Sequence, residues 1–266
     1  MLWVIEISKI FEKKTENTNK TEKIYKNVRI ILRLHAKQDK IYCIQENNRG
    51  YIMEKIYETA YAKINLGLDV LGKRSDGYHE VRMVMQSVGL SDAVEIEEGE
   101  GLVVETDHSG LAGGPDNLAW KAAELLARCC GKIPNVHIRL NKKIFLAAGL
   151  AGGSSDAAAV MRGLSRLWQL DLTAPELEKL AAELGSDIPF CITGGTALAE
   201  GRGEILTELP EAPELLLVLA KPKLEVATGW VYGNFRQQKV NQRPDIDGII
   251  TVSYTHLRAH ETEADL

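Results

Sequence analysis

The chain has 266 residues, a formal net charge of −5 and 45% hydrophobic residues, enough for one large or two modest domains with real cores. Without a basic excess, no nucleic-acid partner is expected. The four cysteines, Cys43, Cys129, Cys130 and Cys191, lack metal-ligand or disulfide-framework spacing, which favours a reduced, cytoplasmic protein.

Residues 1–52 differ in composition from the rest of the chain. They hold 11 Lys and Arg against 6 Asp and Glu, a charge of +5 that leaves −10 for the remainder. Residues 1–10 are apolar, but Glu6 and Lys9 interrupt them and they are too short for an anchor, so no membrane partner is expected. We interpret residues 1–52 as a non-native or disordered extension before a native start at Met53. A basic regulatory arm is the alternative.

The first predicted strand spans residues 56–71. Its alternation places Tyr61, Lys63, Asn65 and Gly67 on one face and apolar side chains on the other. A polar face within an otherwise apolar run is typical of a functional site. Further strands are predicted at 81–90, 93–98, 102–106 and 136–140, with a turn at 99–101 and a helix over 117–130 that ends at Gly131.

Residues 146–159 read L-A-A-G-L-A-G-G-S-S-D-A-A-A, a glycine-rich loop running into a helix predicted over 156–170. Gly149, Gly152 and Gly153 lack a Cβ, so the backbone can take positive φ and approach a ligand closely. The unpaired N–H groups of a helix N-terminus stabilise anions such as a nucleotide triphosphate. A tight loop in which the glycines serve only packing is the alternative. The loop matches neither Walker A nor G-x-G-x-x-G.

Beyond the loop, Thr173 and Glu176 are predicted to cap a helix that continues to Leu184. Asp187 follows at a turn, where an acid either faces a cleft or caps the turn. A hairpin at 196–209 turning at 201–203, a strand at 215–221 and a helix at 227–238 come next. We place a domain boundary at 210–213. Strands and helices without regular βαβ alternation favour the α+β class.

Residues 251–266 continue no earlier pattern and are interpreted as a foreign tail after a truncated reading frame. His256 and His260 are four residues apart, a spacing also found in metal ligands, but a solvated tail is favoured.

Four segments carry a family resemblance. They are A-Y-A-K-I-N-L at 60–66, D-G-Y-H-E-V at 76–81, the glycine loop, and L-G-S-D-I-P-F-C at 184–191. Together they resemble the GHMP kinase superfamily and, within it, the 4-diphosphocytidyl-2-C-methyl-D-erythritol kinases of the non-mevalonate isoprenoid pathway. The similarity covers residues 53–244. It implies a ribosomal-protein-S5-domain-2-like ATP-binding domain at 53–210 and an incomplete ferredoxin-like domain at 211–250.

The resemblance also implies ATP-dependent phosphorylation of the substrate 2-hydroxyl, with Asp187 as catalytic base beside Lys63. Substrate binding is implied for Asn65, Tyr78, His79, Thr228 and Tyr232, with Tyr232 stacking opposite Tyr78. The implied ATP-binding residues are Phe145, Leu146, Ala147, Ala148, Gly149, Leu150, Ala151, Gly152, Gly153, Ser154 and Ser155. Mg²⁺ would accompany ATP, with Ser155 as the candidate ligand, and a small-molecule substrate would bind to a monomer or weak homodimer.

Phe145 and Leu146 depart from the family pattern, which usually has proline and a small apolar residue there. Losing a φ-fixed residue alters how the chain approaches the loop.

Two other functions stay open. One is another GHMP kinase, acting on mevalonate, homoserine or a sugar, which would not need Tyr78 and His79. The other is an inactive truncated fragment that binds nucleotide.

Overall fold

A computed structural model describes residues 3–6, 31–32, 41–46, 52–212, 216–221, 228–235, 240 and 242–251. The strands are β1 Trp3–Glu6, β2 Ile31–Leu32, β3 Ile41–Glu46, β4 Ile52–Lys73, β5 His79–Glu98, β6 Leu102–Thr106, β7 Val136–Asn141, β8 Thr196–Glu200, β9 Ile205–Glu208 and β10 Leu217–Ala220. The helices are α1 Leu118–Cys130, α2 Gly152–Leu167, α3 Ala174–Ala181, α4 Ile188–Thr193 and α5 Thr228–Asn234, followed by a helical segment at 246–251.

Two long antiparallel strands, β4 and β5, form the centre of the main sheet. The strand order is β3-β4-β5-β7-β6, with β8 and β9 extending from β5. Only β6 and β7 pair in parallel among the described strand pairs of this sheet. The α+β class is therefore confirmed. The expectation of separate strands at 81–90 and 93–98 is wrong, because Asp92 is buried inside one continuous β5 and accepts backbone N–H groups from residues 143 and 144.

The main core lies between this sheet and the helices. Its largest fully buried side chains include Ile56, Met85, Ile96, Leu126, Ile138, Met161, Leu164 and Phe190. Helix α1 begins and ends as predicted, with Asn117 accepting the Ala119 N–H and Gly131 at the C-cap. The Thr173–Glu176 capping box is also present, but α3 ends at Ala181 rather than Leu184 because the chain turns there toward α4.

The segment before Met53 contributes strands to two sheets. β3 pairs antiparallel with β4, and β1 and β2 flank β10 in a second, three-stranded sheet. The interpretation of residues 1–52 as a non-native or disordered extension stays a prediction. The predicted helix at 227–238 is observed as α5, with 227 and 236–238 outside the described residues. His256 and His260 also lie outside them.

The helical segment at 246–251 packs on the sheet. Ile246 is buried with Val84 and Leu209, and Arg82 on β5 forms a two-point ion pair with Asp247. Within the described part of the chain, no helix is long and apolar enough to cross a membrane.

Candidate active site

An irregularity in the central ladder turns Lys63 toward the glycine loop. Tyr61 pairs with Ser91 but Lys63 pairs with Ser87, so β4 advances two residues while β5 advances four. Such an irregularity frees backbone groups and redirects side chains. The freed Lys63 N–H donates to Leu150 O at 3.1 Å, and the Tyr61 carbonyl accepts the Ser155 hydroxyl. The strand carrying Lys63 is thereby fastened to the loop.

Lys63 and Asp187 meet at the floor of a cleft. Lys63 Nζ lies 3.6 Å from Asp187 Oδ2 and donates a hydrogen bond to Asn65 Oδ1 at 3.3 Å. The Lys63 side chain is 6% exposed and that of Asp187 is 35% exposed. Asp187 occupies the N-cap position of α4, but its side chain makes no capping hydrogen bond. The turn-capping alternative is therefore not realised, and the carboxylate faces the lysine.

Arg162 holds α4 against β4. Its guanidinium donates to the carbonyls of Cys191 and Ile192 on α4, to Thr59 O on β4 and to Glu58 Oε2. Burial lowers the pKa of Arg162 to about 10, so the group remains charged at neutral pH. Arg162 therefore joins β4 and α4, the elements that carry Lys63 and Asp187.

The glycine loop combines strained backbone with an early helix start. Ala147, Gly149 and Ala151 all have positive φ, between 51° and 74°. Helix α2 begins at Gly152 rather than at Asp156, so Gly152 and Gly153 belong to its first turn. Of the three glycines that could take positive φ, Gly149 does so, and Gly152 and Gly153 do not. At Gly152 a Cβ would lie 3.0 Å from Ile144 Cγ2, so this glycine permits close packing.

The other loop residues divide between core and surface. Leu150 is 1% exposed and belongs to a buried cluster, whereas Phe145 is 36% exposed. Gly149 and Ser154 line the cavity that contains Lys63 and Asp187. The loop and the α2 N-terminus therefore present backbone N–H groups beside the ion pair.

Ser155 does not fit the role of metal ligand. The residue is 1% exposed, and its hydroxyl donates to Tyr61 O and lies 3.4 Å from Cys191 Sγ. Starting the helix four residues early turns Ser155 into the interior and leaves Ser154 beside the cavity. Among the described residues, no cluster of three or more His, Cys, Asp or Glu could hold a metal ion.

Aromatic side chains form the other end of the cleft. His79 and Tyr232 stack with ring centroids 5.2 Å apart, and Phe235 approaches His79 edge-on at 6.4 Å. Burial, and secondarily the Asp187 charge, raise the pKa of Tyr232. The ring partner of Tyr232 in the structure is His79, and Tyr78 and Tyr232 line the same cavity. The implied stacking of Tyr232 opposite Tyr78 in a cytidine pocket stays a prediction. Thr228 starts α5, but its side chain lies outside the described part of the structure.

Tyr78 presents a partly open ring at the same end. Tyr78 is 52% exposed, and the Arg202 guanidinium lies 4.9 Å from the centroid of its ring. Arg202 Nη2 also donates to Ala182 O at 3.1 Å. This cation–π contact fixes one face of Tyr78 and leaves ring surface exposed.

One cavity of about 580 Å³ joins these groups. Its lining includes the predicted Lys63, Asn65, Tyr78, His79, Gly149, Ser154, Asp187 and Tyr232. Sequence reasoning missed Lys73, Ser186 and Arg202, which also line it. Lys73 and Ser186 adjoin recognised motifs and could have been found by extending them. No sequence signal joins Arg202, in a hairpin turn, to Tyr78.

The arrangement suits transfer of a phosphoryl group to a hydroxyl. Asp187 can accept a proton, Lys63 places positive charge beside it, and the loop offers donors for phosphate oxygens. Three cations, Lys63, Lys73 and Arg202, line the cavity with one carboxylate, Asp187. Such a charge balance favours an anionic ligand.

The chain is similar in sequence to known proteins. The sequence model of the GHMP kinases N terminal domain matches residues 117–195. The chain is 48% identical over 203 residues to a 4-diphosphocytidyl-2-C-methyl-D-erythritol kinase of Acetivibrio thermocellus, covering 76% of this chain and 72% of the relative. It is 51% identical over 187 residues to the protein of the same name from a Synechococcus species, covering 70% of this chain and 60% of that relative.

A solved structure is also similar. The crystal structure of a 4-(cytidine 5'-diphospho)-2C-methyl-D-erythritol kinase aligns with a TM-score of 0.60 and 33% identity, covering 76% of this chain and 72% of that chain. The predicted GHMP kinase fold is therefore confirmed. The chain belongs to the 4-diphosphocytidyl-2-C-methyl-D-erythritol kinase family of GHMP kinases.

Proposed function

We propose that this chain transfers the γ-phosphoryl group of ATP to the 2-hydroxyl of 4-diphosphocytidyl-2-C-methyl-D-erythritol, giving the 2-phosphate and ADP in the non-mevalonate isoprenoid pathway. The observation that carries the proposal is the Lys63–Asp187 pair, at 3.6 Å, in one cavity with the glycine loop and the Tyr78, His79 and Tyr232 rings. Family membership supports the kinase class and the use of ATP.

The transfer needs one proton acceptor and stabilisation of charge. Asp187 accepts the proton of the 2-hydroxyl as its oxygen bonds to the γ-phosphorus and the bond to the bridging β–γ oxygen breaks, so that ADP leaves. Lys63, held by Asn65, lies 3.6 Å from Asp187 and places positive charge near the phosphoryl oxygens. Asp187 is thus the catalytic base, and Asn65 orients Lys63 and contacts substrate.

The nucleotide occupies the loop formed by residues 145–155. Backbone N–H groups of the loop and of the α2 N-terminus bind the phosphates. ATP enters as its magnesium complex, in which phosphate oxygens and water supply most of the metal ligands. Ser155 is not among them because its hydroxyl is used inside the fold.

The cytidine end of the substrate lies against the aromatic residues. Tyr78 offers its exposed ring surface for stacking, and His79 and Tyr232 form one wall of the pocket. Thr228 completes this pocket by resemblance. The nearby cations Lys73 and Arg202 match the negative charge of a diphosphate.

Three further expectations, on domain organisation, oligomeric state and cellular location, belong to the same proposal. Residues 53–210 correspond to the ribosomal-protein-S5-domain-2-like ATP-binding domain, and 211–250 to part of a ferredoxin-like domain. The protein works as a monomer or weak homodimer. It acts in the cytoplasm, in agreement with the reduced state expected for its cysteines.

The test is ADP release by the purified chain with ATP, magnesium and 4-diphosphocytidyl-2-C-methyl-D-erythritol, with mevalonate and homoserine in parallel. Activity with the cytidine substrate alone is expected. Equal ADP release with mevalonate or homoserine would indicate a kinase of different specificity. No ADP release with any of the three substrates would contradict the proposal. Inhibition by added cytidine provides a second measurement. Cytidine should lower the rate of ADP release only if the substrate pocket binds a cytidine group.

A further inference from the structure

Three charged side chains meet beneath the glycine loop and line no part of the cavity described above. Lys142 Nζ lies 2.5 Å from Asp92 Oδ2 and donates a second hydrogen bond to Asp156 Oδ2. The side chains of Lys142, Asp92 and Asp156 are 1%, 0% and 1% exposed. Removing ions from water is costly, so a group of three in the interior calls for a reason other than stability.

The three residues connect the two ends of the loop to the sheet. Lys142 is the first residue after β7, Asp156 lies near the start of α2, and Asp92 lies in β5. The Lys142 ammonium is 3.7 Å from the position that a Cβ on Gly152 would take. The Lys142–Asp156 contact therefore joins the two ends of segment 142–156, under the junction between the loop and helix α2.

Backbone hydrogen bonds fix the first end of the loop further. Asp92 Oδ1 accepts the N–H groups of Lys143 and Ile144, the latter at 2.8 Å. The Lys142 N–H donates to Asp107 Oδ1 at 2.9 Å. Three successive backbone donors are thus held by two carboxylates, so the chain enters the loop in one conformation.

The loop itself is strained. Ala147 and Ala151 adopt left-handed conformations, with φ of 51° and 57°, although neither is glycine. Such conformations persist only where the surrounding structure enforces them. A loop already held in its bound shape also avoids the ordering cost on binding. The charged contact beneath the loop supplies this enforcement.

We propose that Lys142, Asp92 and Asp156 form a charged clamp that holds the glycine loop in its nucleotide-binding conformation. They are positioning residues, because they act through the loop backbone and do not touch the nucleotide. The inference rests on the proposed function only in that the loop binds ATP phosphates.

Asp156 offers a way to separate the clamp from ordinary packing. Its Oδ1 has no hydrogen-bond partner in the described part of the structure, and burial raises its pKa to about 7. Asparagine has nearly the same shape, and its carbonyl oxygen can still accept from Lys142. Asp156→Asn therefore keeps the contact, whereas Asp156→Ala breaks it and leaves a charge-balanced Lys142–Asp92 pair.

The experiment measures calorimetric binding of magnesium AMP-PNP, a non-hydrolysable ATP analogue, together with the melting temperature. We expect Asp156→Ala to weaken binding about tenfold and Asp156→Asn about twofold or less. Ser165→Ala is the matched control, because it removes a buried hydroxyl from the same helix away from the loop. A lower melting temperature of Asp156→Ala with unchanged affinity would overturn the clamp and leave a structural role only.

A triple variant covers the case in which Asp156→Ala does not fold. Lys142→Met with Asp156→Leu and Asp92→Asn removes all three charges together, so no buried ion is left without a partner. The amide oxygen introduced by Asp92→Asn can still accept the N–H groups of Lys143 and Ile144. We expect a folded protein that binds AMP-PNP about tenfold more weakly. Wild-type affinity in this variant would overturn the clamp.

AMP-PNP binding is measured without the cytidine substrate. The experiment can therefore distinguish failure of the proposed kinase activity from failure of the clamp. A chain that binds AMP-PNP but does not phosphorylate the cytidine substrate refutes the proposed function and leaves the clamp standing. A wild-type chain that does not bind AMP-PNP overturns the clamp.

Discussion

The Lys63 ammonium and the Asp187 carboxylate lie 3.6 Å apart, close enough for an ion pair and too far for a direct hydrogen bond. Lys63 donates instead to Asn65, and the Asp187 side chain remains 35% exposed. A carboxylate that lies near a cation without a direct hydrogen bond to it can still accept a proton from a substrate hydroxyl.

Asp187→Asn is expected to abolish turnover while sparing nucleotide binding. The amide cannot accept the hydroxyl proton, and losing a general base costs roughly 10²- to 10⁴-fold in rate. ADP release and AMP-PNP titration measure the two effects. Asp171→Asn, which changes an exposed acid before α3, is the control and should behave as wild type. Retained turnover in Asp187→Asn would remove Asp187 as the base.

Arg162→Met is expected to reduce both stability and turnover. It deletes the hydrogen bonds that join α4 to β4, and breaking a buried charged network costs about 3 kcal/mol in the free energy of unfolding. Because α4 carries Asp187, kcat should fall while the KM for ATP changes little. Denaturant unfolding and steady-state kinetics measure these effects.

Arg128→Met is the matched control for Arg162→Met, since the Arg128 side chain is 73% exposed and lies 3.9 Å from Glu183. Surface ion pairs of this kind contribute little to stability. Equal destabilisation of both variants, or an unchanged kcat in Arg162→Met, would contradict the role assigned to Arg162.

Tyr232→Ala is expected to weaken binding of the cytidine substrate. The ring stacks on His79, and such aromatic contacts contribute enough to change KM up to about tenfold. Tyr232→Phe keeps the ring and should stay near the wild-type KM. Trp230→Ala is the control on the same helix, since Trp230 is 65% exposed and does not line the cavity. A KM for ATP that rises equally would argue against a cytidine-side role.

Features encoded by neighbouring residues could be predicted from the sequence. Asn117 and Gly131 mark both ends of α1, and the Thr173–Glu176 pair marks the start of α3, because capping depends on side chains within a few positions. The Lys63–Asp187 proximity was also expected, but only through the family resemblance, because no local rule brings β4 to α4.

Features that depend on distant partners could not be predicted. In the sequence, Asp92 suggests a break between two strands. In the structure its carboxylate accepts the backbone N–H groups of residues 143 and 144, so it can lie buried within one strand. Ser155 looks like a loop hydroxyl until the early start of α2 turns it toward Tyr61. In both cases the hydrogen-bond partner of a polar residue lies in a segment far away in the chain. The hydrophobic periodicity of the sequence around the residue cannot reveal such a partner.

Cys191 is expected to resist thiol reagents in the folded protein. Burial raises the pKa of its thiol to about 12, so the nucleophilic thiolate would be only ~10⁻⁴ of the population at pH 8. The reactive fraction rises with pH, because the thiol loses its proton only as pH approaches the raised value. Cys129 is exposed and should react readily.

The measurement is the time course of thiol labelling at pH 8 in a Cys43→Ser background, with mass spectrometry to locate the label. Cys129 should label first, Cys130 more slowly because burial raises its pKa, and Cys191 only after denaturation. Cys191 lies against Ser155 and Arg162, behind the Lys63–Asp187 pair. Rapid labelling of Cys191 in the native protein would therefore mean that the packing behind the catalytic pair opens in solution.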